Sequence, residues 1–186
     1  MKNWIIAGIV LLFPAAAALA DKAPAVAQAC TACHGPAGVS SNPEWPNLAG
    51  QNATYLADQI TAFRDGTRAI PAMAPFVNGL SDGDIAALAK YYAALPSPTS
   101  ANGDAKLVSG GESLSAYCKA CHGMQGRPAA DEWPALAGQH AKYLQNQLAL
   151  FKSGERVNGH MAAALGPLGE EEFAALAAYY SQLRGR

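Results

Sequence analysis

Cys30-Thr31-Ala32-Cys33-His34 and Cys118-Lys119-Ala120-Cys121-His122 are two copies of one pentapeptide pattern, C-x-x-C-H. The pattern marks covalent attachment of a c-type haem. Two thiols one helical turn apart reach the two vinyl groups of a porphyrin, and the adjoining imidazole meets the iron from the same side. These four cysteines are the only ones in the 186-residue chain, so two such sites consume them all and leave none for a disulfide. A C-x-x-C pair also serves as a redox dithiol or as half of a zinc site. A zinc site assembled from both pairs would leave His34 and His122 without a reason for their fixed place.

The pentapeptides belong to a larger repeat. Shifting the chain by 88 aligns Trp45 with Trp133, Tyr55 with Tyr143, Arg68 with Arg156, Met73 with Met161 and Tyr92 with Tyr180 without a gap. Over residues 30–95 against 118–183 there are 30 identities in 66 positions, which makes the chain a tandem duplication. Pro96-Ser97-Pro98-Thr99-Ser100-Ala101-Asn102-Gly103 has linker composition. The expected organisation is a leader over 1–20, a first domain over 21–95, a linker over 96–108 and a second domain over 109–186. Domains of about 80 residues bury little surface alone and usually need a metal, disulfides or a partner, so a haem would complete each core.

The leader is read from Lys2, the apolar run Trp4 to Phe13, and the small residues of Ala18-Leu19-Ala20, a pattern of a secretory signal peptide. The apolar run is short for a membrane span, with an uncleaved anchor as the alternative. Export agrees with the motif, because bacteria attach haem to C-x-x-C-H outside the cytoplasm; the periplasm is the expected location.

Each copy reads as all-α. A short helix ends in the haem motif, a Gly/Pro-rich loop follows, and a middle helix runs from Ala53 to about Asp65 or from Ala141 to about Ser153. Tyr55, Leu56, Gln59, Ile60 and Phe63 are spaced along one face of the first of these. The final helix opens at Ser81, with Asp84 placed to complete a capping box. In the second copy Gly169 replaces that serine, and Glu170, Glu171 and Glu172 put negative charge on the helix N-terminus instead.

Met73 and Met161 are the only aligned methionines, each seven residues before an aligned leucine, Leu80 or Leu168. Here the chain resembles class I cytochromes c, which place a methionine on the iron from a loop before the final helix; Met/His ligation raises the reduction potential. The resemblance implies His34 with Met73 and His122 with Met161 as axial pairs. A methionine filling a core gap is the plain alternative. Met124 has no counterpart and is expected to pack. The same resemblance implies that Pro46 and Pro134, in Pro46-Asn47-Leu48-Ala49-Gly50 and Pro134-Ala135-Leu136-Ala137-Gly138, offer carbonyls to the second ring nitrogen of the proximal histidines. Otherwise these prolines only shape a loop.

The whole mature chain resembles the diheme cytochrome c4 family. The resemblance rests on the tandem C-x-x-C-H copies, Leu-Ala-Gly-Gln followed by Tyr-Leu, the arginine before each methionine, and Asp84-Ile85-Ala86-Ala87-Leu88-Ala89-Lys90-Tyr91-Tyr92. It implies two class I cytochrome c domains, each wrapped around a covalent haem c, packed about a pseudo-twofold axis with propionates toward the interface. Arg68 and Arg156 are candidates to face those propionates, since a guanidinium matches a carboxylate in a forked geometry; the plainer reading is a solvated arginine. Trp45 and Trp133 are expected in pocket or loop packing, His140 at the surface or a helix cap, and His160 at the pocket or surface.

Charge discriminates little. Residues 21–95 carry four Lys/Arg against six Asp/Glu, and residues 104–186 carry eight of each. No basic tract suggests nucleic acid and no cationic amphipathic helix suggests a membrane surface, leaving peripheral membrane association open. Three functional readings compete. The first is an electron carrier without catalytic activity of its own, fed by a cytochrome bc complex or a dehydrogenase and delivering to a haem-copper terminal oxidase. The second is the electron-accepting subunit of a sulfur-compound or alcohol dehydrogenase. The third is a diheme peroxidase, which would need an open iron position where this chain supplies a methionine to both.

Overall fold

The computed structural model describes residues 23–185; the expected signal peptide lies outside the described residues. Among the described residues there is no strand, and no helix is long and apolar enough to cross a membrane. The first copy contains a 3-10 turn over Ala25–Cys30 and then α1 (Thr31–His34), α2 (Ala53–Arg64), α3 (Ala74–Val77) and α4 (Asp82–Ala93). The second contains α5 (Val108–Leu114), α6 (Lys119–His122), α7 (Ala141–Ser153), α8 (Gly159–Leu165) and α9 (Glu170–Gln182). The two middle helices and the two final helices fall where their apolar spacing places them, α2 stopping one residue short of Asp65. The short helices α3 and α8 occupy segments expected to be loops.

Each copy has its own core. In the first, Leu56 of α2 meets Leu88, Ala89 and Tyr92 of α4, with Ala27 beneath. In the second, Leu144 of α7 and Leu165 of α8 meet Phe173, Leu176 and Tyr180 of α9. Helix α5 lies so close across α9 that a Cβ on Gly111 would sit 2.0 Å from the Ala175 carbonyl oxygen, so that crossing requires glycine.

Caps follow the sequence. Ser81 Oγ accepts the Asp84 N–H while the Asp84 carboxylate accepts the Ser81 N–H, a full capping box on α4. On α9 only half exists: Glu172 accepts the Gly169 N–H at 2.8 Å, and glycine has no side chain to reciprocate.

The copies dock through a largely isologous seam, in which the contacts of the paired tyrosines and glutamines recur with the partners exchanged, while those of Asn52 and His140 do not. The Tyr55 N–H donates to the Asp131 carbonyl, and its mate, Tyr143, donates to the Pro43 carbonyl, both at 3.0 Å. The Gln51 amide pairs with both backbone groups of Ala135 at 2.8 and 3.0 Å. Its mate, Gln139, pairs with both backbone groups of Asn47 at 2.8 and 2.9 Å. Such amide-to-backbone pairs satisfy buried groups that would each cost about 1–3 kcal/mol if left unpaired.

The linker is fastened rather than free. Ser100 Oγ donates to the Gly138 carbonyl and accepts from Asn47 Nδ2, joining both copies, and the Ala101 N–H donates to the Ser181 carbonyl. His140 is the N-cap residue of α7, as expected, but its side chain makes no capping bond and is buried at the seam, which corrects the surface alternative. Its Nε2 donates to the Ser40 carbonyl at 3.0 Å and its Nδ1 accepts from Asn102 Nδ2 at 2.8 Å, since a carbonyl can only accept. Met124 is 72% exposed, so its expected packing role is also corrected. It follows Gly123 on a turn at the surface, where no core lies within reach.

Candidate haem sites

Both C-x-x-C-H segments fold alike. The first cysteine flanks a single helical turn that carries the second cysteine and the histidine, and a glycine at positive φ stops it: Gly35 at 74° and Gly123 at 77°. A Cβ on Gly35 would lie 1.9 Å from the Val39 carbonyl oxygen, and one on Gly123 2.2 Å from that of Arg127, so both turns exclude any other residue. All four cysteines are of intermediate exposure and none is paired with another in a disulfide.

His34 Nδ1 lies 2.9 Å from the Pro46 carbonyl and His122 Nδ1 3.1 Å from that of Pro134. A carbonyl only accepts, so Nδ1 carries the proton and Nε2 keeps its lone pair, the tautomer a metal ligand needs. Burial pushes both imidazoles below their ordinary value, against the opposing pull of those carbonyls. The neutral ring is therefore favoured near pH 7.

Behind the first cysteine of each copy stands a buried tyrosine from the final helix. Tyr92 stands beside Cys30 and Tyr180 beside Cys118. Tyr180 Oη is buried without a hydrogen-bond partner. Burial, together with the neighbouring thiol, pushes both phenols far above their ordinary range.

A continuous cavity of about 1080 Å³ passes through both copies. His34, Met73, Leu56 and Tyr92 line it in the first copy, and His122, Met161, Leu144 and Tyr180 in the second. Trp45 and Trp133 line it too. Trp133 stands edge-on between His122 and His160, at ring centroid distances of 6.2 and 5.9 Å; the first copy has Ala72 where the second has His160. Met73 sits at the N-terminal flank of α3, its N–H on the Ile70 carbonyl, whereas Met161 lies within the first turn of α8, its N–H on the Asn158 side chain.

Arg68 and Arg156 meet at the seam, inside the cavity wall. Each donates to its own copy's glutamine and across to the other's, so Arg68, Gln59, Arg156 and Gln147 close a ring of four bonds, all at 2.7 Å. Arg156 also reaches Tyr55 Oη at 2.8 Å. The guanidiniums stack over Phe63 and Phe151 at 4.5 and 4.3 Å. The ion pairs among the described residues are both of Arg64, with Asp65 and Asp82, so neither seam arginine has a carboxylate partner. Arg68 Nε is buried and unpartnered.

These features fit an apolar macrocycle with anionic arms. The chain offers paired thiols, a neutral imidazole with a free lone pair, a thioether on the same cavity, and two uncompensated guanidiniums where the copies meet. Sequence reasoning singled out both arginines as candidates to face propionates. It missed Gln59 and Gln147 as their partners, and Gln51 and Gln139 as the seam's bridges. Identity of a polar residue at matched positions of the two copies is the signal that could have found them.

Residues 17–91 match the family model described as cytochrome c oxidase, cbb3-type, subunit III, and residues 108–184 match that of cytochrome c. Cytochrome c4 of Thiocapsa roseopersicina is 37% identical over 168 residues, covering 83% of this chain and 86% of its own. A protein of Stutzerimonas stutzeri (strain A1501) named thiosulfate dehydrogenase electron acceptor is 33% identical over 208 residues, covering 97% of this chain and 95% of its own. The crystal structure of reduced recombinant cytochrome c4 from Pseudomonas stutzeri superposes with a TM-score of 0.80 at 30% identity, over 85% of this chain and 95% of that one.

Proposed function

The chain belongs to the diheme cytochrome c4 family, carries two covalent haem c groups, and transfers electrons; from that premise we propose that it is a periplasmic carrier delivering single electrons toward a terminal oxidase. When bound, each haem supplies a one-electron couple whose potential Met/His ligation raises. The rest is the work of this chain's own residues. Cys30 and Cys33 hold one macrocycle and Cys118 and Cys121 the other. His34 and Met73 serve one iron, His122 and Met161 the second. Pro46 and Pro134 fix the histidine tautomers through the bonds at 2.9 and 3.1 Å. Arg68 and Arg156 receive the propionates at the seam.

The observation that supports this reading is the doubled arrangement: a carbonyl-held histidine and a methionine line the same cavity in both copies, the pair that would hold each iron without leaving it an open position. A cytochrome bc complex or a dehydrogenase is the proposed donor and a haem-copper oxidase the proposed acceptor. The leader read over residues 1–20 supports export to the periplasm. Domain limits at 21–95 and 109–186, with a linker between, complete the proposal.

A second reading is favoured by one finding, the relative named as an electron acceptor of thiosulfate dehydrogenase: this chain would serve as the accepting partner of a periplasmic dehydrogenase. Purification separates the two. A carrier purifies without a stoichiometric catalytic protein and reduces an oxidase-containing membrane preparation directly; a fixed-ratio partner with dehydrogenase activity would establish the second reading. Rapid peroxide turnover by the pure protein would contradict both.

A further inference from the structure

Resting on the reading that Arg68 and Arg156 face the propionates, we infer that Gln59 and Gln147 are positioning residues that lock the two arginines into one electrostatic unit shared by both haems. Gln59 belongs to the first copy, yet its Oε1 accepts from Arg68 of that copy and from Arg156 of the other, both at 2.7 Å. Gln147 does the same in reverse, also at 2.7 Å. Two donor nitrogens on one oxygen stand within about twice a hydrogen-bond length of each other, so the guanidiniums are held close despite their repulsion.

The residue type matters. A glutamate at either position would neutralise the arginines from within the protein, as carboxylates do to Arg64. Glutamine orders them and leaves their charge for an external anion. The unpartnered, buried Nε of Arg68 marks donor capacity that no group of the chain uses. Positive charge beside a haem favours the reduced state, because reduction removes a positive charge from the iron. A charge placed on Gln59 therefore acts on both arginines at once, and hence on both haems, although the residue lies in one domain.

The test is potentiometric titration of the diheme protein, with each haem followed through its own resolved NMR signals. Gln59→Glu is expected to lower both potentials, each by about a tenfold change in the reduction equilibrium, or about 59 mV for a one-electron couple. Gln147→Glu, the mirror change, is expected to give the same pair of shifts and serves if the first variant does not accumulate with two haems. Arg68→Leu and Arg156→Leu run alongside. If the arginine variants shift potentials while each glutamate variant moves only the haem of its own domain, or neither, the shared unit is overturned and the propionate reading stands. If the arginine variants leave both potentials in place, the propionate reading falls and the inference with it.

Discussion

The two methionine segments reach the same cavity by different backbones. In the first copy Pro71 and Pro75 bracket Met73, and α3 amounts to a single turn over Ala74–Val77. Proline lacks an N–H and is tolerated only in a helix's first turn, so no helix can run back through Pro75 across the methionine. In the second copy Gly159 and Ala163 stand at those places. There α8 forms over Gly159–Leu165 with Met161 inside it, its N-terminus capped by Asn158, whose side chain accepts the Met161 N–H at 3.0 Å. The duplication preserved where the thioether goes, not how the chain carries it. The methionine's position is thus more durable than the secondary structure around it.

That difference is most easily broken at the methionines. Met73→Ala is expected to leave the first iron without a protein ligand on that side, giving a high-spin signal from half the haem. Met161→Ala differs because His160 adjoins it, where the first copy has Ala72. The second iron should stay low-spin with histidine in place of methionine, its potential falling by on the order of 0.2 V within the ~0.8 V span that axial ligands command. Electron paramagnetic resonance with redox titration distinguishes the two variants. His160→Ala alone should leave both methionine ligations intact.

Smaller effects sharpen the same contrast. Asn158→Ala should weaken the α8 N-terminus by about 1 kcal/mol, lowering the temperature at which methionine ligation is lost in the second copy and sparing the first. Ser81→Ala removes half of the α4 capping box, also worth about 1 kcal/mol in thermal unfolding. Ser81 holds the Asp84 carboxyl below its ordinary value through its hydroxyl and its N–H. That stabilisation is fully present above the ordinary carboxylate range and lost as pH falls through the lowered value, so the Ser81→Ala effect should shrink in acid. The smallest change expected is Gly169→Ser, which supplies the missing half of the α9 cap for a gain of a few tenths of a kcal/mol.

What was legible in the sequence was local or repeated. Apolar spacing located α2 and α7, capping chemistry located the start of α4, and the 88-residue shift brought the two histidines, methionines and arginines into correspondence. What escaped belongs to the seam. His140 aligns with Asn52 and looks like a helix-start residue, but docking buries it against Ser40 of the other copy and Asn102 of the linker. Gln59 reads as one more position on a helix face until the second copy brings Arg156 to its oxygen. Such partners lie 38 to 101 residues apart in sequence, where no spacing rule reaches. Met124 failed in the opposite sense: an apolar side chain beside a haem motif suggests packing, while its turn leaves it at the surface.

The central claim is that both irons are six-coordinate, each held between one histidine and one methionine. Haem quantitation by pyridine haemochrome, combined with the intensity of the methionine-to-iron charge-transfer band of the oxidised protein, tests it most directly. The account predicts two haems per chain and a band intensity of two methionine ligations per chain, with no high-spin iron at neutral pH. One haem per chain, a band of half that intensity, or a high-spin signal in the untreated protein would contradict it.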